Sequence, residues 1–238
     1  MPVFRGTLHA LHVSGVGAIG AVVISNDRWN AAMSQVTVLP VLASVPPAES
    51  EYALEHRNGV ITAARPLAVL APPDPGSALG PPIASVSSAE LDALEERLCR
   101  FLQLPTLLGG VPAPSRPIGD ASAYPVWGDV YRGPVLAGER KRFVVVSPSE
   151  WNRSSGLAVG VRTTTQLKID DLWFPAILDG ATRACCGDAT TLPHSQWRLG
   201  RRDRPTPFTT KTRDMVAIAR GLADAYDLDA ALARLKDL

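Results

Sequence analysis

Cysteine is scarce in this chain. There are three in 238 residues, Cys99, Cys185 and Cys186, and two of them are adjacent. An odd number with an adjacent pair builds no disulfide framework and has no metal-ligand spacing, which excludes a disulfide-stapled secreted scaffold and a structural zinc site and fits a reducing cytoplasm. Aromatic residues are also few, at 6%. Charged residues make up only 20%, and a formal net charge of +1 excludes a uniformly basic nucleic-acid binder. No stretch is suited to crossing a bilayer: the uncharged run between Arg5 and Asp27 contains His9, His12, Ser14 and four glycines and lacks a basic start, so it reads neither as a signal peptide nor as a membrane span. Long helical bundles are excluded by 21 prolines and 19 glycines, which cut the chain into short segments.

What remains is 46% hydrophobic, enough for a buried core, over a length that suits two small domains. The charge is unevenly divided. Residues 1–104 hold six basic against nine acidic side chains, and residues 125–238 hold seventeen against thirteen, so contact with a polyanion is expected on the second half.

The chain repeats itself. At an offset of 122, Gly6 falls on Gly128, Val22-Val23-Ile24-Ser25 on Val144-Val145-Val146-Ser147, and Trp29-Asn30 on Trp151-Asn152. At 124, Leu91, Leu94, Leu98 and Leu104 meet Met215, Ile218, Leu222 and Leu228, and Val60-Ile61 meets Ala184-Cys185. Each copy reads as four strands and a closing helix: strands near 7–13, 21–25, 35–42 and 60–69, then 129–133, 143–147, 156–162 and 183–191. Strands before helix is the order of an α+β domain. The first helix opens with the capping box Ser87-x-x-Glu90, and the second runs from about 213 to 227 with Met215, Ile218, Leu222 and Tyr226 inward. Residues 105–124, rich in proline, glycine and serine, read as a linker between domains 1–104 and 125–238. A tail after Leu228 adds helix that the first copy lacks, with Leu228, Leu232 and Leu235 on one docking face.

The second copy resembles the PemK/MazF family of toxins from toxin–antitoxin pairs. The resemblance is carried by Gly128-Asp129-Val130-Tyr131, by Lys141-Arg142-Phe143-Val144-Val145-Val146-Ser147-Pro148, by Trp151-Asn152 and by Arg162-Thr163-Thr164-Thr165-Gln166. It covers about 100 residues. The first copy keeps Ser25, Trp29 and Asn30 and reads as a degenerate member. The implied fold is α+β: two tandem, strongly bent, barrel-like antiparallel sheets with packed helices, forming a pseudo-dimer within one chain. The implied activity is cleavage of single-stranded RNA without metal or other cofactor, with an antitoxin protein as partner.

Attack by the RNA 2′-hydroxyl needs a cation over the phosphate and groups that move protons. The resemblance gives the cationic role to Arg142, phosphate orientation to Thr164 and an acid–base role to Asp188. RNA contacts are expected from Arg140, Lys141, Ser147, Arg162, Thr163, Thr165, Gln166, Arg201 and Arg202. The first-copy counterparts of the three catalytic positions read as Gly20, Leu42 and Ala64, which cannot build such a site. His9 and His12 point to opposite faces of a strand, which argues against a shared metal, and Cys185-Cys186 reads as core. Two other functions compete: a catalytically inactive interaction module, and a gyrase poison of the related CcdB type. The latter expects a tryptophan-containing C-terminus where this sequence reads Leu235-Lys236-Asp237-Leu238.

Overall fold

The computed structural model describes residues 3–12, 17–109, 124–134, 140–164, 175–178, 182–197 and 212–236. Short β-branched runs interrupted by glycine and proline make strands, and the chain forms two antiparallel sheets. The first holds β1 (Thr7–Leu11), β2 (Ala18–Val23), β3 (Gln35–Leu42), β4 (Ala53–His56), β5 (Gly59–Thr62), β6 (Leu67–Leu70) and β7 (Leu79–Ser85). Its order is β4-β5-β3-β2-β1-β7, with β6 also paired to β3. The second holds β8 (Val130–Pro134), β9 (Arg140–Val145), β10 (Leu157–Thr164), β11 (Pro175–Leu178) and β12 (Thr182–Pro193), in the order β11-β12-β10-β9-β8. The expectation of barrel-like sheets is corrected: neither sheet closes. The run expected as one strand over 60–69 is two, because residues 63–66 leave the ladder between β5 and β6. β4, β7 and β11 lack a sequence signal. β7 even contains Pro81 and Pro82, which an edge strand tolerates because one side of it needs no donors.

Helices α1 (Asp27–Ala32) and α4 (Ser149–Ser155) follow the second strand of each half. The closing helices are α2 (Ser88–Phe101), with both hydrogen bonds of its capping box formed, and α5 (Thr212–Tyr226), with Met215, Ile218, Leu222 and Tyr226 buried. Two short helices follow them, α3 (Leu104–Leu108) and α6 (Asp229–Lys236). The expectation that only the second half carries a tail helix is thereby corrected, since α3 occupies the start of the stretch read as linker. The hinge residues Gln103 and Asp227, 124 positions apart, both adopt the left-handed conformation, at φ 55° and 52°.

Residues 122 apart make matching bonds. Gly6 N donates to Val23 O and Gly128 N to Val145 O. Ser25 Oγ donates to Asn30 Oδ1 at 2.6 Å and accepts from Thr37 N; Ser147 Oγ donates to Asn152 Oδ1 at 2.5 Å and accepts from Val159 N. Leu8 faces Val22 and Val130 faces Val144 across their ladders. On the outer strands the register gives an offset of 123: Val41 faces Ile61 as Thr163 faces Ala184, and Val38 faces Leu67 as Gly160 faces Thr190. The sequence offset of 124 is therefore corrected by one residue there.

A single buried core runs through both halves, from Leu8, Ile24 and Leu98 to Val144, Val161 and Leu222. Contacts across it are reciprocal, α2 against α6 and α3 against α5. The edge-to-face pair Phe101–Trp151, with ring centroids 4.9 Å apart, and the ion pair Arg234 Nε to Glu96 Oε1 at 2.7 Å also join the halves.

Candidate active site

Strand parity decides which side chains of β9 and β10 can act together. Phe143 and Val145 pack with Tyr131, Ala158 and Trp197 on the outer face of the second sheet, while Val144, Val146, Val159 and Val161 face the shared core. Arg142 sits opposite Thr163 on β10 and Arg132 on β8, so these three share the core-side face at its exposed end. Arg162 sits opposite Phe143, which puts Arg162, and Thr164 two residues on, on the outer face together with Lys141. Arg183 of β12 faces Thr164. The sheet thus separates Arg142 from Thr164. It groups Lys141, Arg162, Thr164 and Arg183 instead.

Asp188 joins this group through an irregularity. Val161 pairs with Ala189 and the next residue, Arg162, with Cys185, so residues 186–188 loop out of β12. The loop brings Asp188 Oδ2 to 2.6 Å from Arg162 Nε, with side chains 10% and 27% exposed. Burial pushes the Asp188 carboxyl up to about 6, against the opposing pull of Arg162. Burial also pushes the neighbouring Cys185 thiol up to about 11, so it stays protonated and is no nucleophile. A carboxyl raised by burial and paired to an arginine can accept a proton, and the cations and hydroxyl that share the outer face can hold an anionic group.

The other expected residues divide three ways. Ser147, expected to touch RNA, is fully buried; its hydroxyl donates to Asn152 Oδ1 and accepts from Val159 N, which ties α4 to the sheet. The Thr163 hydroxyl, also buried, donates to Arg142 O at 3.2 Å. Arg140 lies on β9. Thr165, Gln166, Arg201 and Arg202 lie outside the described residues. Arg183 was expected in the basic patch of the second half, but the Arg162–Asp188 pair was not foreseen from sequence, because the loop at 186–188 that brings the two together breaks strand periodicity.

In the first half, the register counterparts of Lys141, Arg162 and Thr164 are Ile19, Pro40 and Leu42. That of Asp188 is Arg65, not the Ala64 expected from the sequence offset. Arg65 is bound to the buried Glu49 at 2.7 Å, and Thr62 donates to the same carboxylate. Such an arrangement is structural. His9 is buried, bonded to Thr7 and to Gly80 O. Among the described residues no group of three or more His, Cys, Asp or Glu could hold a metal ion, and no helix is long and apolar enough to cross a membrane.

No protein-family model and no curated protein sequence matches the chain. Among solved structures, it is similar to an endoribonuclease in complex with its cognate antitoxin from a mycobacterial species, at 23% identity and a TM-score of 0.36 over 44% of this chain and 96% of that one. A second mycobacterial endoribonuclease aligns at 14% identity and a TM-score of 0.36, over 48% of this chain and 97% of that one. MazF from Deinococcus radiodurans aligns at 18% identity and a TM-score of 0.33, over 48% and 98%.

Proposed function

We infer that this chain is a toxin-like endoribonuclease that cuts single-stranded RNA, built from two fused copies of a PemK/MazF-like unit, residues 1–104 and 125–238, with its site in the second. The duplication is supported by the bonds that recur 122 residues apart and by the paired left-handed hinges Gln103 and Asp227. Reciprocal helix contacts support a pseudo-dimer, because a two-fold interface makes each patch meet its own counterpart. The observation that carries the activity is the shared outer face of Lys141, Arg162, Thr164 and Arg183, with Asp188 ion-paired at its edge.

On this reading Asp188 takes the proton of the 2′-hydroxyl, whose oxygen forms a bond to phosphorus. The bond to the 5′ oxygen breaks, that oxygen takes a proton from water, and a 2′,3′-cyclic phosphate remains. Thr164 donates to a non-bridging oxygen, and Lys141 and Arg183 offset charge that grows in the pentacoordinate state. Arg142, on the opposite face, holds flanking backbone rather than the scissile phosphate.

The first half has lost every counterpart of this group. That observation favours a second reading, in which the pair is a catalytically silent interaction module. Purified protein incubated with long single-stranded RNA in EDTA distinguishes the two. Lys141→Ala and Thr164→Ala should each lower the rate by about 10²–10³, as removal of a preorganised donor does, and Arg142→Ala should lower it far less. Loss confined to Arg142→Ala would refute the face assignment, and an inert wild type across varied RNAs would establish the silent module.

A further inference from the structure

The loop that carries Asp188 is held from outside its own sheet. Gly187 O accepts from Thr37 Oγ1 at 2.7 Å, and Cys186 O accepts from Tyr226 OH at 3.1 Å. Both donors are fully buried. A Cβ on Gly187 would stand 2.6 Å from the ring of Trp29, so the indole rests directly on the glycine backbone. Trp29 is itself buried and tied down by its Nε1 donating to Gln35 O at 3.0 Å. Thr37 lies on β3 and Trp29 on α1, both in the first half, and Asp188 is the next residue after the one they grip.

The second half grips the corresponding loop of the first half at a different residue, Thr191 Oγ1 donating to Pro66 O at 2.8 Å. The counterpart of Thr37 is Val159, which has no hydroxyl to donate, and that of Gly187 is Ala64. Trp151, the counterpart of Trp29, packs instead against Phe101. The threonine and tryptophan contacts on the glycine backbone are therefore made to the loop that carries the carboxylate and are not repeated at the counterpart positions.

We propose that Thr37 and Trp29 are positioning residues for Asp188: the first half, which has no site of its own, shapes the loop that brings this carboxylate to Arg162. The catalytic consequence rests on the RNA-cleaving reading above; the positioning itself does not. Asp188 is faced by Arg162 from β10, by Cys185 from its own strand and by Tyr226 from α5. From the first half the loop meets the uncharged Thr37 and Trp29.

The test is Thr37→Val, which removes the donor and keeps the shape, with Thr37→Ser as the conservative variant. Titration of the Asp188 carboxyl, followed by carbon NMR and assigned with Asp188→Asn, should rise by about 0.5 or more in Thr37→Val as the loop relaxes from Arg162, and should hold its wild-type value in Thr37→Ser. If the wild type cleaves RNA, kcat should fall about tenfold with KM within about twofold, and the acidic limb of the rate profile should move with the titration. Trp29→Phe withdraws the ring atoms nearest Gly187 and should shift the titration the same way, which keeps the test open if Thr37→Val does not fold. A variant that melts earlier but titrates like wild type overturns the proposal. An inert wild type overturns the enzymatic reading alone, and the titration still decides the positioning.

Discussion

Gly187→Ala probes the contact between the halves with the addition of one methyl group. The new Cβ would lie 2.6, 2.6 and 2.7 Å from three atoms of the Trp29 ring, against an optimal carbon–carbon separation of about 3.5–4.0 Å. Either the ring or the loop has to move by about 1 Å. The ring is 1% exposed and bonded to Gln35, and the loop is bonded to Thr37 and Tyr226, so neither yields freely. The φ of Gly187 lies outside the left-handed region, and the cost is therefore steric. Overpacking of this kind costs about 1–3 kcal/mol, and the rigidity on both sides puts it near 2–3. For a chain of this size that corresponds to a melting temperature lower by about 5–10 °C. Thermal and urea unfolding of wild type, Gly187→Ala, Trp29→Phe and the double variant measure it. In the Trp29→Phe background the cost should shrink by at least about 1 kcal/mol, because the colliding atoms are gone. A Gly187→Ala protein within about 0.5 kcal/mol of wild type, or additive behaviour of the two changes, would refute the described packing.

Two further outcomes follow from matched and titrating groups. Ser25→Ala and Ser147→Ala each leave a buried backbone N–H without the serine hydroxyl, together with the oxygen of the half-buried Asn30 or the buried Asn152, so each should cost about 2–4 kcal/mol, and urea unfolding should find the two costs within about 1 kcal/mol of each other. Asp188 binds its proton more tightly folded than unfolded, since its carboxyl moves from 3.8 to about 6. Its contribution to stability is therefore fullest below about pH 4 and is lost as pH rises through about 6, by up to about 3 kcal/mol. Asp188→Asn cannot titrate and should show a flatter stability profile between about pH 4 and 7; profiles of equal slope would refute the shift.

Sequence by itself determined the elements whose signal is local. The capping box at Ser87 and the apolar spacing of Leu91, Leu94 and Leu98 announce α2, because helix ends and faces depend on residues three and four apart. The repeated Val-Val-x-Ser and Trp-Asn pairs announce the β-turn-helix unit of both halves, whose serine–asparagine bond spans only five residues. The uneven charge was likewise legible by counting.

Tertiary structure decided the rest. Lys141 to Val146 reads as two cations and four apolar residues with no alternation, so nothing local says whether Lys141 or Arg142 shares a face with Thr164. Both faces of this strand are covered, one by the shared core and one by Trp197, and only the ladder register resolves the choice. α3 was hidden in a proline- and glycine-rich stretch because its five residues carry too little periodicity; contact with α5 buries Leu104 and Leu107. Asp188 reads as a turn residue beside a glycine. It meets Arg162 on a loop whose Gly187 accepts a hydrogen bond from Thr37, 151 positions before Asp188 in the chain, and no local pattern encodes a contact of that range.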